Sequence, residues 1–254
     1  KGGIFSMGYN GADYCYDIEL PEHKVYLENY KIDAFPVTNE QYLEFIEDGG
    51  YDTYKYWLSD GWEKVKKNEW MSPMYWEKTD GQWKIRDFLG IRKLNPKEPV
   101  CHVSYYEADA YCKWAGKRIP TEAEWEKAAC WNEEKQQKTI FPWGNEQPTE
   151  QNSNLLESYH WGCTEIGSYP NGRSPSGCHQ MIGDVWEWTA SEFTGYPGFK
   201  TGFEEYNDKW FTNQKVLRGG SFGTPKMSIR GSYRNFFRLD ERWLFSGFRC
   251  AESV

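Results

Sequence analysis

The sequence predicts an α+β fold in which a few short helices surround a small antiparallel sheet and much of the chain is irregular. Three capping boxes mark short helices, and the apolar alternation typical of strands occurs only in brief segments. Aromatic residues make up 18% of the 254 residues, and each can bury a large apolar area. This composition favours a core held by aromatic side chains and excludes a disordered chain.

Three helices are predicted from their first turns. Each begins with a Ser or Thr that is followed three residues later by Gln or Glu, so that the two side chains satisfy free backbone N–H groups reciprocally. Glycines at the far ends of the first two helices are typical stop signals. The caps are Thr38, Ser104 and Thr121. The helices are expected to end at Gly49, near Ala115 and near Cys130, in that order.

Strands are predicted from shorter apolar segments. Val25 and Leu27 alternate with polar residues, and Val216 and Leu217 precede the turn pair at residues 219–220. A last apolar segment, ending at Cys250, predicts a C-terminal strand and both termini in one sheet. Residues 131–180 have almost no periodicity, which is typical of functional loops on a rigid scaffold.

Charge and cysteine content exclude several classes of protein. The formal net charge is −8, whereas nucleic-acid and membrane-surface binding need concentrated positive charge. No apolar run is long enough to span a membrane. The seven cysteines include no C-x-x-C pair, which excludes a zinc ribbon. We therefore expect reduced thiols in a cytoplasmic protein with no nucleic-acid or membrane partner.

The first residues of the chain and the composition along it indicate its domain organisation. It opens on Lys1 without Met or a signal peptide, and we expect it to be the interior of a longer polypeptide or a processed product. No stretch has the composition of an interdomain linker, so one domain is predicted over residues 1–254.

Seven short segments share an order and a spacing that cover nearly the whole chain. They are residues 36–39, 99–111, 118–125 (R-I-P-T-E-A-E-W), 142–145, 183–189 (G-D-V-W-E-W-T), 217–221 (L-R-G-G-S) and 247–249. Together they resemble the formylglycine-generating-enzyme, or sulfatase-modifying-factor, superfamily. The resemblance implies a C-type-lectin-like variant fold with little regular secondary structure.

Three further segments resemble one branch of that superfamily, the C-terminal domain of ergothioneine-biosynthesis sulfoxide synthases. They are residues 101–104 (C-H-V-S), 194–199 (T-G-Y-P-G-F) and 233–237 (Y-R-N-F-F). The resemblance implies an oxidoreductase that uses non-haem Fe(II) and O₂ to join a thiol, cysteine or γ-glutamylcysteine, to trimethylhistidine. It also implies a partner: the iron ligands belong to a DinB-like helical domain, in cis or in trans, outside this chain.

The residues of the chain itself supply no complete metal site. A facial iron site needs three converging ligands, and no two of the four histidines are three or four residues apart. His102, near Glu107, is interpreted as a hydrogen-bonded structural histidine rather than a ligand. Formylglycine-generating enzymes bind Cu(I) through two cysteines near the C-terminus. The matching region, 229–249, has none, which argues against sulfatase activation; Cys250 is interpreted as a buried strand residue.

Tyr196 is the candidate catalytic residue. Gly195 and Pro197 flank it, a pattern that predicts an exposed loop with a fixed ring. The resemblance implies that its hydroxyl donates a proton or hydrogen to an iron–oxygen species, a role suited to a phenol. The alternative is a packed loop tyrosine.

The segment 233–237 supplies the candidate substrate-binding residues. Arg234 could pair with a carboxylate bidentately, and Asn235 could hydrogen-bond a carboxylate or an imidazole. Phe236 and Phe237 stand where mycobacterial-type relatives carry Trp-Asp, and the lost acid argues against γ-glutamylcysteine as the thiol. The two rings could pack against a trimethylammonium group, a contact of about 0.5–2 kcal/mol. The alternative is a core strand with two buried Phe.

The W-E-W segment suggests a structural role. Alternation places Trp186 and Trp188 on one face, which we assign to the core. Glu187, with backbone oxygens near Gln180 and Gly183, could hold a structural Ca²⁺, since hard cations collect oxygen ligands. A different class of function also remains open: a lectin-like domain that binds a ligand or a protein without chemistry, because fold does not fix function.

Overall fold

A computed structural model describes residues 1–202 and 207–254. In this part of the chain four α-helices and thirteen mostly short strands are connected by long irregular segments. The helices are α1 (Asn39–Glu47), α2 (Ser59–Asn68), α3 (Tyr105–Trp114) and α4 (Glu122–Cys130). The strands are β1 (Gly3–Met7), β2 (His23–Leu27), β3 (Tyr30–Ile32), β4 (Trp76–Thr79), β5 (Gln82–Asp87), β6 (Gly90–Lys93), β7 (Trp131–Asn132), β8 (Gln137–Lys138), β9 (Trp186–Glu192), β10 (Lys215–Arg218), β11 (Arg234–Phe237), β12 (Ser246–Gly247) and β13 (Ala251–Ser253).

The three predicted helices are confirmed. Both halves of the capping box form at the start of α1, α3 and α4. Gly49 and Gly116 follow α1 and α3 with φ of +76° and +69°, a conformation that glycine adopts at little cost. These boundaries depend on residues three or four apart in sequence, which is why local sequence reasoning finds them.

The prediction missed α2 and the three-stranded sheet β4-β5-β6. Helix α2 begins without a side-chain cap and buries only Gly61 and Val65, so its apolar pattern is weak. A Cβ at Gly61 would lie 2.8 Å from Cγ of Tyr106. The glycine therefore serves the packing of α2 against α3, although it lowers helix propensity.

A four-stranded sheet with the order β11-β10-β9-β12 lies at the centre. Its pairs β9–β10 and β10–β11 are antiparallel, whereas β12 runs parallel to β9. The prediction that both termini share one sheet is wrong: β1 pairs with β2, and β13 pairs with β3. Since β2 and β3 do not pair with each other, the two terminal strands belong to separate two-stranded sheets.

The largest core cluster joins α1, α3 and the central sheet. Its aromatic side chains include Tyr42, Tyr111 and Phe248, whose rings contact one another. Trp186 and Trp188 belong to it, as predicted. Residues 131–185 contain only β7, β8 and two short 3₁₀ turns, which confirms their irregular character. No helix in the described ranges combines the length and the apolar composition needed to cross a bilayer.

Candidate functional site

A cleft of about 510 Å³ runs along β11, the edge strand of the central sheet. Three of the four predicted substrate-binding residues present side chains at this edge, because positions 235–237 are only half buried while position 234 is buried. Residues from other parts of the fold complete the cleft, among them Tyr16, Trp210, Gln214 and Arg238. The segment identified from sequence is therefore brought together with residues that are distant in sequence.

Five of the eleven residues that line the cleft are aromatic. Phe236 stacks on Phe193 with ring centroids 3.9 Å apart and lies 6.4 Å from Trp210. Tyr16 and Tyr233 stack 5.1 Å apart. The rings are thus fixed by packing while part of their surface faces the cleft. This arrangement suits a cation over an aromatic face. Phe236 and Phe237 are therefore neither fully exposed to a ligand nor fully buried in a core strand.

Two amide side chains offer polar contacts in the cleft. The Asn235 Oδ1 accepts a hydrogen bond from the Phe236 backbone N–H at 2.9 Å, which orients the amide. No described residue hydrogen-bonds its Nδ2, and the same holds for the side chain of Gln214. A ligand can therefore take up these hydrogen bonds without displacing an internal partner.

The structure corrects the prediction for Arg234. Its side chain is buried, and its Nε and Nη2 donate to the two carboxylate oxygens of Glu122 at 2.7 and 3.1 Å. Its Nη1 donates to the backbone oxygens of Ile18 and Thr194. Because an internal carboxylate already occupies this guanidinium bidentately, it is not available for a substrate carboxylate.

Arg238, at the other end of the same segment, was not selected from the sequence. It is exposed, lines the cleft, and forms no ion pair with any residue in the described ranges. The sequence R-N-F-F-R contains both arginines, and only the position of each relative to the sheet distinguishes them. The free guanidinium at the cleft is that of Arg238.

The structure also corrects the predicted exposure of Tyr196. The side chain is only 7% exposed and packs with Phe5 and Met7 instead of lining the cleft. Its hydroxyl donates to Glu122 Oε1 at 3.2 Å, and the guanidinium of Arg234 lies 4.1 Å from its ring centroid. Burial, with smaller effects from nearby charges, raises the pKa of Tyr196 well above its usual value.

A buried ionic network supports this end of β11. Arg218 donates to Glu122 Oε1 at 2.6 Å and to Glu126 Oε2 at 2.5 Å. Lys138 donates to the other oxygen of Glu126. Burial alone would raise the pKa of Glu126, but the charges of Lys138 and Arg218 outweigh it and lower the pKa to about 2. The network joins α4 to β10 and, through Arg234, to β11.

The predicted calcium ligands are already engaged. Both oxygens of Glu187 accept hydrogen bonds from Arg249 at 2.7 Å, and Oε2 also accepts from Trp125 Nε1. The backbone oxygen of Gln180 accepts from Arg249 Nη2 at 3.5 Å, and the backbone oxygen of Gly183 accepts from the Val185 N–H. The cation that compensates this carboxylate is therefore Arg249, and the calcium prediction is not supported.

The structure also shows the surroundings of His102 and of the cysteines. Nδ1 of His102 is buried without a hydrogen-bond partner. Cys250 is buried as predicted, but it lies between β12 and β13 rather than in a strand. Its Sγ lies 3.3 Å from that of Cys112. All seven cysteines are free thiols. Among the described residues, no three His, Cys, Asp or Glu side chains are grouped in a way that could hold a metal ion.

Comparisons with known proteins agree with the segments identified from sequence. Residues 1–254 match the family described as sulfatase-modifying factor enzyme 1-like domain. The chain is 39% identical over 254 residues to a hercynine oxygenase of Mycobacterium tuberculosis, covering 98% of this chain and 59% of that protein. It is 31% identical to the formylglycine-generating enzyme of Mus musculus, covering 98% of this chain and 73% of that enzyme.

A solved structure supports the same fold. The structure of PvdO from Pseudomonas aeruginosa superimposes with a TM-score of 0.67 at 22% identity, covering 100% of this chain and 92% of that one. At this identity the likeness concerns the fold alone, and it confirms the predicted fold class. The chain spans about three fifths of the length of the hercynine oxygenases it matches.

Proposed function

Because the chain belongs to the family of sulfatase-modifying factor enzyme 1-like domains, we propose that it is the substrate-binding domain of a sulfoxide synthase of ergothioneine-type biosynthesis. The complete enzyme would use non-haem iron and O₂ to join cysteine or γ-glutamylcysteine to trimethylhistidine through a C–S bond. The observation that carries this proposal is the aromatic cleft along β11, in a chain 39% identical to a hercynine oxygenase.

The chemistry of the cleft matches the three groups of trimethylhistidine. The trimethylammonium group would pack against Phe236 and Trp210 by cation–π attraction, a contact of about 0.5–2 kcal/mol. The carboxylate would pair with Arg238, and the imidazole would accept a hydrogen bond from Asn235 Nδ2. Phe237 packs edge-on against Trp243 and supplies an apolar rim.

Iron does not fit the residues that the structure describes. The described residues contain no group of three metal-ligating side chains, and three of the four histidines lie in separate aromatic contacts, with Tyr196, Tyr75 and Phe35. We therefore propose that the Fe(II) ligands come from a DinB-like domain, in cis or in trans. The greater length of the hercynine oxygenases is consistent with an additional domain.

The test is reconstitution of the full-length protein with Fe(II) under anaerobic conditions, followed by O₂ and trimethylhistidine with either thiol. We expect a sulfoxide product, identified by mass spectrometry. Binding of trimethylhistidine without turnover, with iron loaded, would instead favour a non-catalytic lectin-like binding domain. Formation of formylglycine on a sulfatase peptide, with no trimethylhistidine binding, would contradict the proposal.

Arg238→Gln is expected to weaken trimethylhistidine binding about 10- to 150-fold, because a charge-assisted pair is worth about 1.5–3 kcal/mol. The measurement is isothermal titration calorimetry on the full-length protein. Arg86→Gln is the matched control, since Arg86 is also exposed and outside any ion pair among the described residues, but lies away from this cleft. Equal affinity of both variants would remove Arg238 from the site.

For Tyr196 we propose a positioning role that acts through Arg234. Tyr196→Phe keeps the ring over that guanidinium, so kcat and KM are expected to change by less than about threefold, with the same product. Tyr196→Leu removes the ring and is expected to raise KM for trimethylhistidine while kcat is retained. A changed product, or a kcat fall of about a hundredfold in Tyr196→Phe, would support the catalytic role implied by the resemblance.

A further inference from the structure

Two cysteines outside the cleft form a pair whose surroundings differ from those of the other thiols. Cys101 comes three residues before the cap of α3, and Cys163 lies in the long irregular region. They share one small core cluster with Val185 and Phe222, and they are 4% and 6% exposed. Each thiol is the other's hydrogen-bonding neighbour.

The two sulfurs have unequal acidity. Burial alone would raise the pKa of Cys101, but the hydrogen bond from Cys163 and the neighbouring His102 outweigh it and lower the pKa to about 5. The hydrogen bond to Cys101, together with burial, raises the pKa of Cys163. Burial lowers the pKa of His102 less than the Cys101 thiolate raises it. The lowered pKa of Cys101 thus favours its thiolate beside His102, whereas the raised pKa of Cys163 favours its protonated thiol.

A cavity of about 20 Å³ is lined by both cysteines. Its lining also includes His102, Arg92 and Glu98. A volume of about 10–15 Å³ is enough for one water molecule. The cavity therefore admits a molecule of the size of water or hydrogen peroxide and excludes larger thiol reagents.

From this juxtaposition we propose that Cys101 and Cys163 form a peroxide-reactive pair, a modification site independent of the proposed function. The Cys101 thiolate attacks one oxygen of hydrogen peroxide, the O–O bond breaks, and hydroxide leaves, giving a sulfenic acid. The Cys163 sulfur then attacks the Cys101 sulfur, an S–S bond forms, and water leaves with the Cys163 proton. The two thiols are oxidised by two electrons and the peroxide is reduced to water.

Two of the other buried thiols, Cys130 and Cys178, provide internal controls. Burial raises the pKa of Cys130 to about 12 and also raises that of Cys178. Both residues pack in a separate apolar cluster around Trp125. The thiolate is the nucleophile, and a lower pKa raises the fraction of thiolate more than it lowers the reactivity of each thiolate. Cys101 is therefore expected to react at least about tenfold faster than Cys130 near neutral pH.

The experiment treats the purified full-length protein with hydrogen peroxide, quenches it in denaturant with iodoacetamide, and follows each cysteine peptide by mass spectrometry over time. We expect a disulfide between Cys101 and Cys163 to accumulate while Cys130 and Cys178 remain alkylated. Oxidised glutathione at the same concentration should leave Cys101 alkylated. Oxidation of Cys101 no faster than that of Cys130, or equally fast reaction with glutathione disulfide, would overturn the proposal.

Two variants separate the roles of the pair. Cys163→Ser should leave Cys101 as a sulfenic acid that dimedone traps, and Cys101→Ser should leave Cys163 reduced. Cys178→Ser, the matched control, should form the disulfide at the wild-type rate. Where a variant does not fold, the wild-type time course decides alone. Persistence of Cys163 oxidation in folded Cys101→Ser would contradict the assignment of the attacking sulfur.

Discussion

Replacing Arg249 with Met is expected to lower the free energy of unfolding by about 3–5 kcal/mol. The side chain is fully buried, and its Nε and Nη2 donate to both oxygens of Glu187. Nη1 and Nη2 also donate to backbone oxygens, including those of Asp33 and His179. Removing the guanidinium leaves a buried carboxylate without its cation, so the cost is mainly that of the uncompensated charge.

Urea unfolding at neutral pH measures this effect. Lys31→Met is the matched control, because it breaks an ion pair with Glu252 whose side chains are 70% and 40% exposed, and such pairs contribute about 0–1 kcal/mol. Adding Glu187→Gln to Arg249→Met should recover part of the loss, since the orphaned charge is then removed. An Arg249→Met variant no less stable than Lys31→Met would refute the interpretation.

Acidification is expected to remove about 3 kcal/mol of stability through Glu126 alone, about 2 kcal/mol of it between pH 6 and pH 3. The folded-state pKa is about 2, against the usual 4.5, because the charges of Lys138 and Arg218 outweigh burial. A depressed carboxylate pKa stabilises the folded state above pH 4.5. That contribution is lost as pH falls towards 2, since the unfolded chain takes up the proton first.

The measurement is the free energy of unfolding in urea at pH 6 and pH 3, for the wild type and two variants. Glu126→Gln should be less stable at pH 6, and its further loss on acidification should be about 2 kcal/mol smaller than that of the wild type. Glu47→Gln replaces an exposed glutamate at the end of α1, outside any ion pair in the described ranges, and should follow the wild type. Equal pH slopes for Glu126→Gln and the wild type would rule out this role.

The ionic network that contains Glu126 also supports the strand that lines the cleft. Glu122, on the first turn of α4, binds Arg218 of β10 and Arg234 of β11. Arg234 in turn lies against the ring of Tyr196. Arg234 and Tyr196, which were predicted to act on the substrate directly, therefore support the strand that lines the cleft.

Three of the five predicted site residues, Asn235, Phe236 and Phe237, line the cleft without an internal ion pair. Arg234 borders the cleft but is buried and paired with Glu122, and Tyr196 is internal. Sequence alternation along β11 separates Arg234 and Phe236 from Asn235 and Phe237 by face. Phe236 nevertheless lines the cleft, with its ring stacked on the buried Phe193. Which face is buried depends on α4, which lies more than a hundred residues earlier in the chain.

The sequence by itself determined the starts of three helices, which depend on neighbouring residues, and the family, which depends on many short segments together. Capping boxes join residues three apart. The order and spacing of the short motifs identified the family without knowledge of any tertiary contact. Only the tertiary structure decided how charges are paired. Arg234 meets Glu122 across 112 residues, and Arg249 meets Glu187 across 62. A buried carboxylate requires a cation wherever the fold supplies one. Two of the predicted ligand contacts are therefore internal ion pairs, and Arg238 is the guanidinium left for a substrate.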